Sequence, residues 1–173
     1  MAGGLKEVRE RITSVQNTMQ ITSAMKMVAA AKLRRAQDAI TRMRPYADKL
    51  KGVLSNVSAS LDSSDGVYSQ QRDVSRVLIV AITSNRGLCG GFNNNIVKAA
   101  NAVMTEEGVE YHVLPLGKKA YEAFLKRREL KAVGFDEDAW KIFDDLKFER
   151  AQKIGEDIMT QFVKGQYDDV KII

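Results

Sequence analysis

Residues 24–36 read Ala-Met-Lys-Met-Val-Ala-Ala-Ala-Lys-Leu-Arg-Arg-Ala, and they lie in the middle of an apolar repeat that extends from residue 4 to about residue 61. Apolar side chains recur every seven residues in two rows that are offset by three residues, and we call these rows the seam. Its larger members are Leu5, Val8, Ile12, Val15, Met19, Leu33, Ile40, Met43, Leu50, Leu54 and Val57. A seam sustained for about eight heptads predicts a helix roughly 85 Å long that packs on a partner helix as in a coiled coil.

The middle of this helix differs from its ends. Thr22 and Lys26 are the polar members of the seam, and Ala29 and Ala36 are small enough to let a neighbouring backbone approach closely. Pro45 removes one backbone donor and crowds the preceding turn, at a cost of about 3 kcal/mol in a helix interior. Because the heptad phase is the same before and after Pro45, the sequence predicts a kink there and not a break.

Charge is concentrated in this helix. Residues 1–61 contain 11 Lys and Arg against 4 Asp and Glu, a net charge of +7, so the other 112 residues carry −2 of the formal +5. The central cations form a band, which is Lys26, Lys32, Arg34, Arg35, Arg42 and Arg44. Such a band is typical of a solvated face, of a surface for an acidic partner, or of a nucleic-acid contact.

Beyond the helix the period changes. Residues 62–73 are polar and predict a linker, and residues 74–173 alternate between predicted strands (77–82, 109–116, 130–133, 170–173) and helices (92–103, 118–128, 148–164). This alternation predicts an α/β fold: a Rossmann-like three-layer lobe with a mainly parallel sheet. The last strand has barely begun at the end of the chain and the seam has no second long helix, so we expect a piece of a longer protein.

A glycine-rich turn, Ser84-Asn85-Arg86-Gly87-Leu88-Cys89-Gly90-Gly91, follows the first predicted strand. Dinucleotide folds hold a pyrophosphate at this place, but the glycine spacing matches neither G-x-G-x-x-G nor a phosphate loop. The second strand also ends in Leu116 and Gly117, where a ribose-binding carboxylate would be expected. We therefore predict a tight turn without a cofactor.

The remaining reactive side chains predict no catalytic or metal site. His112 is the only histidine and Cys89 the only cysteine, so neither has a second ligand of its type for a metal ion, and no disulfide can form within the chain. We expect His112 to be a satisfied residue of its strand. The carboxylates of residues 136–145 predict a solvated loop or short helix. No run of 18 apolar residues and no secretory signal are present, and the lone cysteine fits a reducing compartment.

Two segments carry a family resemblance. Residues 14–32, with Ile-Thr-Ser-Ala-Met-Lys-Met-Val-Ala-Ala-Ala-Lys at 21–32, and residues 83–93, with Ser-Asn-Arg-Gly-Leu-Cys-Gly-Gly-Phe at 84–92, resemble the gamma subunits of ATP synthase, as does Arg44-Pro45-Tyr46. The order and spacing of these segments also match, and the resemblance extends over the whole chain. It ends before the carboxy-terminal helix of that family.

The resemblance implies a function. In this family the first and last helices form an antiparallel coiled coil that stands inside the hexamer of alpha and beta subunits, with the α/β lobe near the epsilon subunit and the c-ring. It implies a non-catalytic rotor shaft without cofactor, metal or direct small-molecule ligand, which couples rotation of the c-ring to the catalytic sites. It also implies a bacterial-type peripheral subunit, without transit peptide, at the cytoplasmic face of the cell membrane.

The resemblance also implies one contact surface. It matches Met25, Lys26, Lys32, Arg34 and Arg35 to the segment near an acidic loop of the beta subunit. Two alternatives from the residues stay open, which are a basic coiled-coil protein that binds nucleic acid and a nucleotide-binding α/β enzyme. Because an apolar seam is unfavourable in water, we expect the chain by itself to self-associate through the long helix.

Overall fold

The computed structural model describes residues 2–60, 66–68 and 72–173, and the chain divides into two compact units at residues 61 and 62. The first unit is one helix, α1 (Ala2–Ser60), of 59 residues. It continues through Pro45, so the predicted absence of a break is confirmed. Leu61, the last predicted residue of the seam, lies outside the described residues.

The second unit is built on a three-stranded parallel sheet. Its strands are β1 (Arg76–Ile82), β2 (Glu110–Leu116) and β3 (Asp169–Ile172), in the order β2-β1-β3. Strand β1 is central because it pairs with both neighbours: with β2 along its whole length, from Arg76 opposite Glu110 to Ile82 opposite Leu116, and with β3 through residues 77–80. Its continuous apolar run, Val77 to Ala81, is fully buried, as is usual for a strand covered on both faces.

Two apolar cores lie on the two faces of this sheet, which makes the lobe a three-layer α/β unit as predicted. One core joins alternate residues of β1 to the helices α2 (Phe92–Val103) and α3 (Lys118–Phe124). The other core joins the remaining residues of β1 to a 3-10 helix (Ala139–Asp144) and to α4 (Phe148–Val163). The side chains of a strand alternate between its faces, so one strand supplies both cores.

Pro115 fits inside β2 because β2 is an edge strand. The carbonyl of Leu116 accepts a hydrogen bond from Thr83 N–H, at 2.8 Å, and therefore points towards β1. The carbonyl of Val113 accepts one from Ala132 N–H on the other side, at 3.4 Å. Pro115 has the same orientation as Val113, so its missing N–H faces away from the sheet and costs no bond between β1 and β2.

One predicted strand is wrong. Residues 130–133 contain the end of a 3-10 helix (Arg128–Leu130) and a single bridge between Lys131 and Val113. The pairing ends there, because the next bond of a parallel ladder would run from the N–H of residue 115 to the Ala132 carbonyl, and Pro115 has no N–H. Val133 contacts Tyr167 instead: its N–H donates to the Tyr167 hydroxyl at 2.9 Å, and its carbonyl oxygen lies 3.3 Å from the same hydroxyl. Gly134 then turns the chain with φ 88°.

One helix boundary also differs from the prediction. Helix α3 ends at Phe124 and not at residue 128, since the residues from 126 to 129 are all charged and offer no apolar side chain to the core. The predicted linker 62–73 falls partly outside the described residues. In its described part, the Arg72 guanidinium lies 4.4 Å from the centroid of the Phe162 ring in α4 and donates a hydrogen bond to the Phe162 carbonyl. Tyr68 stacks on the same ring. This end of the segment therefore packs on the lobe.

Candidate interaction surfaces

The seam lies fully on the surface of α1. The exposed fraction of its larger side chains, those named above, ranges from 46% at Leu50 to 68% at Leu5. On a straight helix a seven-residue repeat drifts by about 20° per heptad, or roughly 160° over eight heptads. One partner can follow such a seam only by winding around α1, as in a left-handed coiled coil. The seam thus defines a surface for a partner that is itself a long helix.

The polar residues of α1 near the centre of the seam are satisfied locally. The hydroxyl of Thr22 donates to the Thr18 carbonyl at 2.8 Å, and that of Thr18 donates to the Ser14 carbonyl at 2.9 Å. Thr22 therefore presents its methyl group to a partner without leaving a donor unpaired. Thr22, Ala29 and Ala36 therefore give the centre of the seam small side chains instead of large apolar ones.

A second apolar surface lies on the opposite side of the helix, and we call it the outer patch. At about 100° per residue its positions lie roughly 130–170° from the midline of the seam. Ile21, Met27 and Val28 have 62%, 67% and 57% of their side chains exposed. The outer patch is Ile21, Ala24, Met27, Val28 and Ala31. A single partner helix on the seam cannot cover this patch, so α1 has apolar surface for two partners over this stretch.

Sequence reasoning missed the outer patch because it followed only the seam. The signal was available in the sequence, since the positions opposite the seam are polar or charged before residue 21 and resume with Arg34 and Arg35 after residue 33, but are apolar between them. A count of apolar residues on each helical face, and not only on the dominant one, would have found it.

The predicted contact residues do not share one face. Lys26 lies in the seam itself, Met25 and Lys32 lie on its flank seven residues apart, and Arg34 and Arg35 lie on the outer side. The four cations form no ion pair with any residue in the described ranges, whereas Lys6 pairs with Glu10 at 4.0 Å in the same helix. Their charges are thus available to a partner. The side chains leave the helix on three sides, however, which are the seam, its flank and the outer side.

The glycine-rich turn is organised by Asn93, which is in the first turn of α2. Its side-chain oxygen accepts from Ser84 N–H at 3.0 Å, and its amide nitrogen donates to the Arg86 carbonyl at 3.2 Å and to Cys89 Sγ at 3.1 Å. Leu88 is fully exposed at the tip, with φ 61°. The turn is therefore held by internal bonds and presents a single apolar side chain in a left-handed conformation.

The start of α2 has little in common with a dinucleotide site. Asn93 occupies its first turn, and the amide group of Asn95 would lie 3.3 Å from a Cβ atom placed on Gly91. At the end of β2, Gly117 N–H donates to the Trp140 carbonyl, and Asn85 accepts from Lys118 N–H. These donors are used within the lobe. The expected absence of a nucleotide stays a prediction.

The other candidate residues are placed as expected. His112 in β2 has 12% of its side chain exposed and is hydrogen-bonded to Glu110 and Tyr167, so it is a satisfied residue of its strand. The carboxylates of residues 136–145 surround the 3-10 helix Ala139–Asp144 and are exposed. Among the described residues, no three His, Cys, Asp or Glu side chains are grouped in a way that could hold a metal ion.

None of the described helices is both long and apolar enough to cross a membrane. The described surfaces thus include two apolar faces on one long helix, a cationic band that forms no ion pair with the described residues, and a hydrogen-bonded turn on an α/β lobe. These are features of a subunit that packs with other chains.

Comparison with known proteins agrees with this. A family model described as ATP synthase matches residues 4–173, so the chain belongs to the ATP synthase family. Its relatives include the ATP synthase gamma chains of Flavobacterium psychrophilum and Cytophaga hutchinsonii, each 48% identical, and of Flavobacterium johnsoniae, 49% identical. Each match covers 98% of this chain and 58% of the relative. The resemblance to gamma subunits is therefore confirmed, and the chain spans just over half the length of those relatives.

Proposed function

We propose that this chain supplies the first shaft helix and part of the lobe of the rotor of a proton-translocating ATP synthase. In this role it is non-catalytic and couples rotation of the membrane c-ring to conformational changes at the catalytic sites of the alpha/beta hexamer. The observation that carries the proposal is the pair of opposite apolar faces on α1. A shaft that turns inside the alpha/beta hexamer needs one face for its second helix and another for the surrounding subunits.

The lengths are consistent with this role. A helix of 59 residues is about 88 Å long, which is much longer than a small domain needs for its own core. Burying one Leu, Ile, Val or Met side chain is worth about 1.5–3 kcal/mol, so the seam strongly favours a partner along its whole length. The partners that we propose are the alpha, beta and epsilon subunits and the c-ring, at the cytoplasmic face of the membrane.

The cationic band fits an acidic surface. Lys32, Arg34 and Arg35 lie on the flank and outer side of α1 without ion pairs among the described residues, and Met25 lies on the flank beside the outer patch. We propose that these four residues face the acidic loop of the beta subunit. Lys26 lies in the seam, so its contact is with the second shaft helix or at the edge of both partners.

The test uses the full-length subunit assembled into its ATP synthase in membrane vesicles. Exposed ion pairs contribute about 0–1 kcal/mol each, so single changes of Lys32, Arg34 or Arg35 to Ala should alter ATP-driven proton pumping by no more than about fivefold. The triple change should lower pumping relative to ATP hydrolysis, and Met25→Glu should lower it further. The matched control is Lys49→Ala with Lys51→Ala, which removes cations of α1 outside the band.

Unchanged coupling in the triple variant, with normal assembly, would contradict the contact with beta. The two alternatives are tested on the same preparation, because a gamma-type rotor requires negligible affinity for duplex DNA and for NAD. Tight binding of either ligand, measured by calorimetry, would contradict the proposed function.

A further inference from the structure

A hydrogen-bonded chain of three side chains lies on one face of the sheet, beside β2. His112 Nε2 lies 3.0 Å from Glu110 Oε1, and His112 Nδ1 lies 3.3 Å from the Tyr167 hydroxyl. The rings of His112 and Tyr167 meet edge to face, with centroids 5.6 Å apart. Tyr167 is fully buried, whereas 59% of the Glu110 side chain is exposed, so the chain connects solvent to the interior.

The Tyr167 hydroxyl has one proton and two acceptors at the same distance. It lies 3.3 Å from His112 Nδ1 and 3.3 Å from the Val133 carbonyl oxygen, while its own oxygen accepts from Val133 N–H at 2.9 Å. Only one of the two acceptors can receive the proton at a time. The choice depends on whether Nδ1 offers a lone pair or an N–H.

The protonation state of the imidazole decides this choice. In the neutral ring Nε2–H donates to Glu110, which leaves the lone pair of Nδ1 as an acceptor for the Tyr167 hydroxyl. When a solvent proton binds to Nδ1, that nitrogen becomes a donor to the Tyr167 oxygen, and the hydroxyl proton must turn away from it. The Val133 carbonyl is the acceptor in reach, so all donors remain satisfied.

We propose that His112 is a proton switch, which directs the Tyr167 hydroxyl to its own Nδ1 when neutral and to the Val133 carbonyl when protonated. Burial raises the pKa of Tyr167 above its ordinary value, although its bond with the Val133 backbone opposes this, so the hydroxyl keeps its proton in both states. The charged groups that act on Tyr167 are Glu110 on β2 and Arg76 on β1, and Arg76 stands opposite Glu110 in the sheet.

The switch acts on a segment that borders a cavity beside β2. Val133 lies between Ala132 and Phe135, which line this cavity of about 370 Å³ together with Tyr121, Leu130 and Trp140. In the neutral state Tyr167 holds Val133 by one hydrogen bond, from the N–H group. In the protonated state it holds both backbone groups, so acid conditions tighten this wall of the cavity.

The test is an NMR titration of the full chain between about pH 5 and pH 8, a range that brackets the ordinary titration of histidine. Because His112 is the only histidine, its ring signals are unambiguous. We expect Nε2–H as the neutral tautomer and a shift of the Val133 carbonyl carbon with the same midpoint as the imidazole. In Tyr167→Phe the imidazole should still titrate, but the shift at Val133 should be lost.

The matched control is Tyr111→Phe, which removes the hydroxyl of the neighbouring tyrosine on β2. That hydroxyl accepts from Glu106 N–H and belongs to the core on the other face of the sheet, so the coupling should be unchanged. A neutral Nδ1–H tautomer in the unmodified chain would overturn the proposal without any variant. An unchanged pH-dependent shift at Val133 in Tyr167→Phe would overturn it as well.

Discussion

Gly117 packs directly against the backbone of Thr83, where the carboxyl ends of β1 and β2 meet. A Cβ atom on Gly117 would lie 2.1 Å from the Thr83 carbonyl oxygen, and the φ angle of Gly117 is 109°. In the same place Thr83 N–H donates to the Leu116 carbonyl, and Thr83 Oγ1 accepts from Ala120 N–H at 2.7 Å. Thr83 thus satisfies an N–H in the first turn of α3, which has no side-chain cap of its own.

We expect Gly117→Ala to destabilise the lobe by about 1–3 kcal/mol, because the change adds backbone strain and a contact with a main-chain atom that cannot move away. Urea unfolding followed by circular dichroism measures the effect. Gly155→Ala is the control, since Gly155 lies inside α4 with nothing within 4 Å of its Cβ position. That change should stabilise the helix by up to about 1 kcal/mol. Equal effects at the two positions would contradict the close approach.

The environment of the Asp168 carboxylate predicts that the stability of the lobe depends on pH. Burial favours a higher pKa, but hydrogen bonds from Arg76 N–H, Ser75 Oγ and Ser75 N–H keep the pKa of Asp168 below its ordinary value. A lowered folded-state pKa contributes stability above the unfolded-state pKa, and this stability is lost as the pH falls through the folded-state pKa. Asp168→Asn should therefore cost about 1–2 kcal/mol at pH 7 and much less near pH 2.

The urea midpoints of the two proteins at both pH values check this prediction. Asp145→Asn is the control, because among the described residues the Asp145 carboxylate has only an exposed ion pair with Lys147, at 2.9 Å. Exposed pairs of this kind contribute little, so the control should change stability by less than about 1 kcal/mol at either pH. A cost for Asp168→Asn that does not depend on pH would show that the charge is unimportant.

The exposed seam predicts that this chain by itself forms a dimer through α1, antiparallel so that the two cationic bands are not superposed. Two-fold pairing would bury the same stripe on both copies. Sedimentation equilibrium at tens of micromolar should give twice the mass of the chain. Charged changes in the seam should give a monomer, whereas the same changes on the outer side should not. The seam variants are Ile12→Glu, Leu33→Glu and Leu54→Glu, and the controls are Ser14→Glu, Thr41→Glu and Ser55→Glu.

The glycine-rich turn predicts that ATP and NAD do not bind to the lobe. Asn93 and Asn85 already use the donors and acceptors around the turn, and Asn85 Nδ2 also donates to Asp144 at 2.8 Å. Saturation-transfer NMR with each nucleotide at millimolar concentration should show no transfer. Asn93→Ala serves as a comparison, because it opens the turn without adding a phosphate-binding group. Saturation transfer in the unmodified chain, or tight binding at the turn, would refute the prediction.

Much of the fold could be predicted because its signals are local. The heptad rows of α1 predict one long helix, and the apolar run of β1 predicts a strand covered on both faces. The failure at residues 130–133 has a distant cause, since pairing there depends on β2, where Pro115 offers no N–H, and Val133 is held instead by Tyr167, 34 residues away in the chain. A pattern of four residues contains no information about such a contact.

The sequence alone determined the long seam, the alternation of strands and helices, and the glycine-rich turn, because periodicity and residue type act over a few neighbouring residues. Tertiary structure decided the strand order β2-β1-β3, the close approach of Gly117 to Thr83, and the hydrogen-bonded chain from Glu110 to Val133. Each of these joins segments that are distant in sequence. Their geometry depends on how the two apolar faces of the sheet are covered, and only the folded lobe determines that.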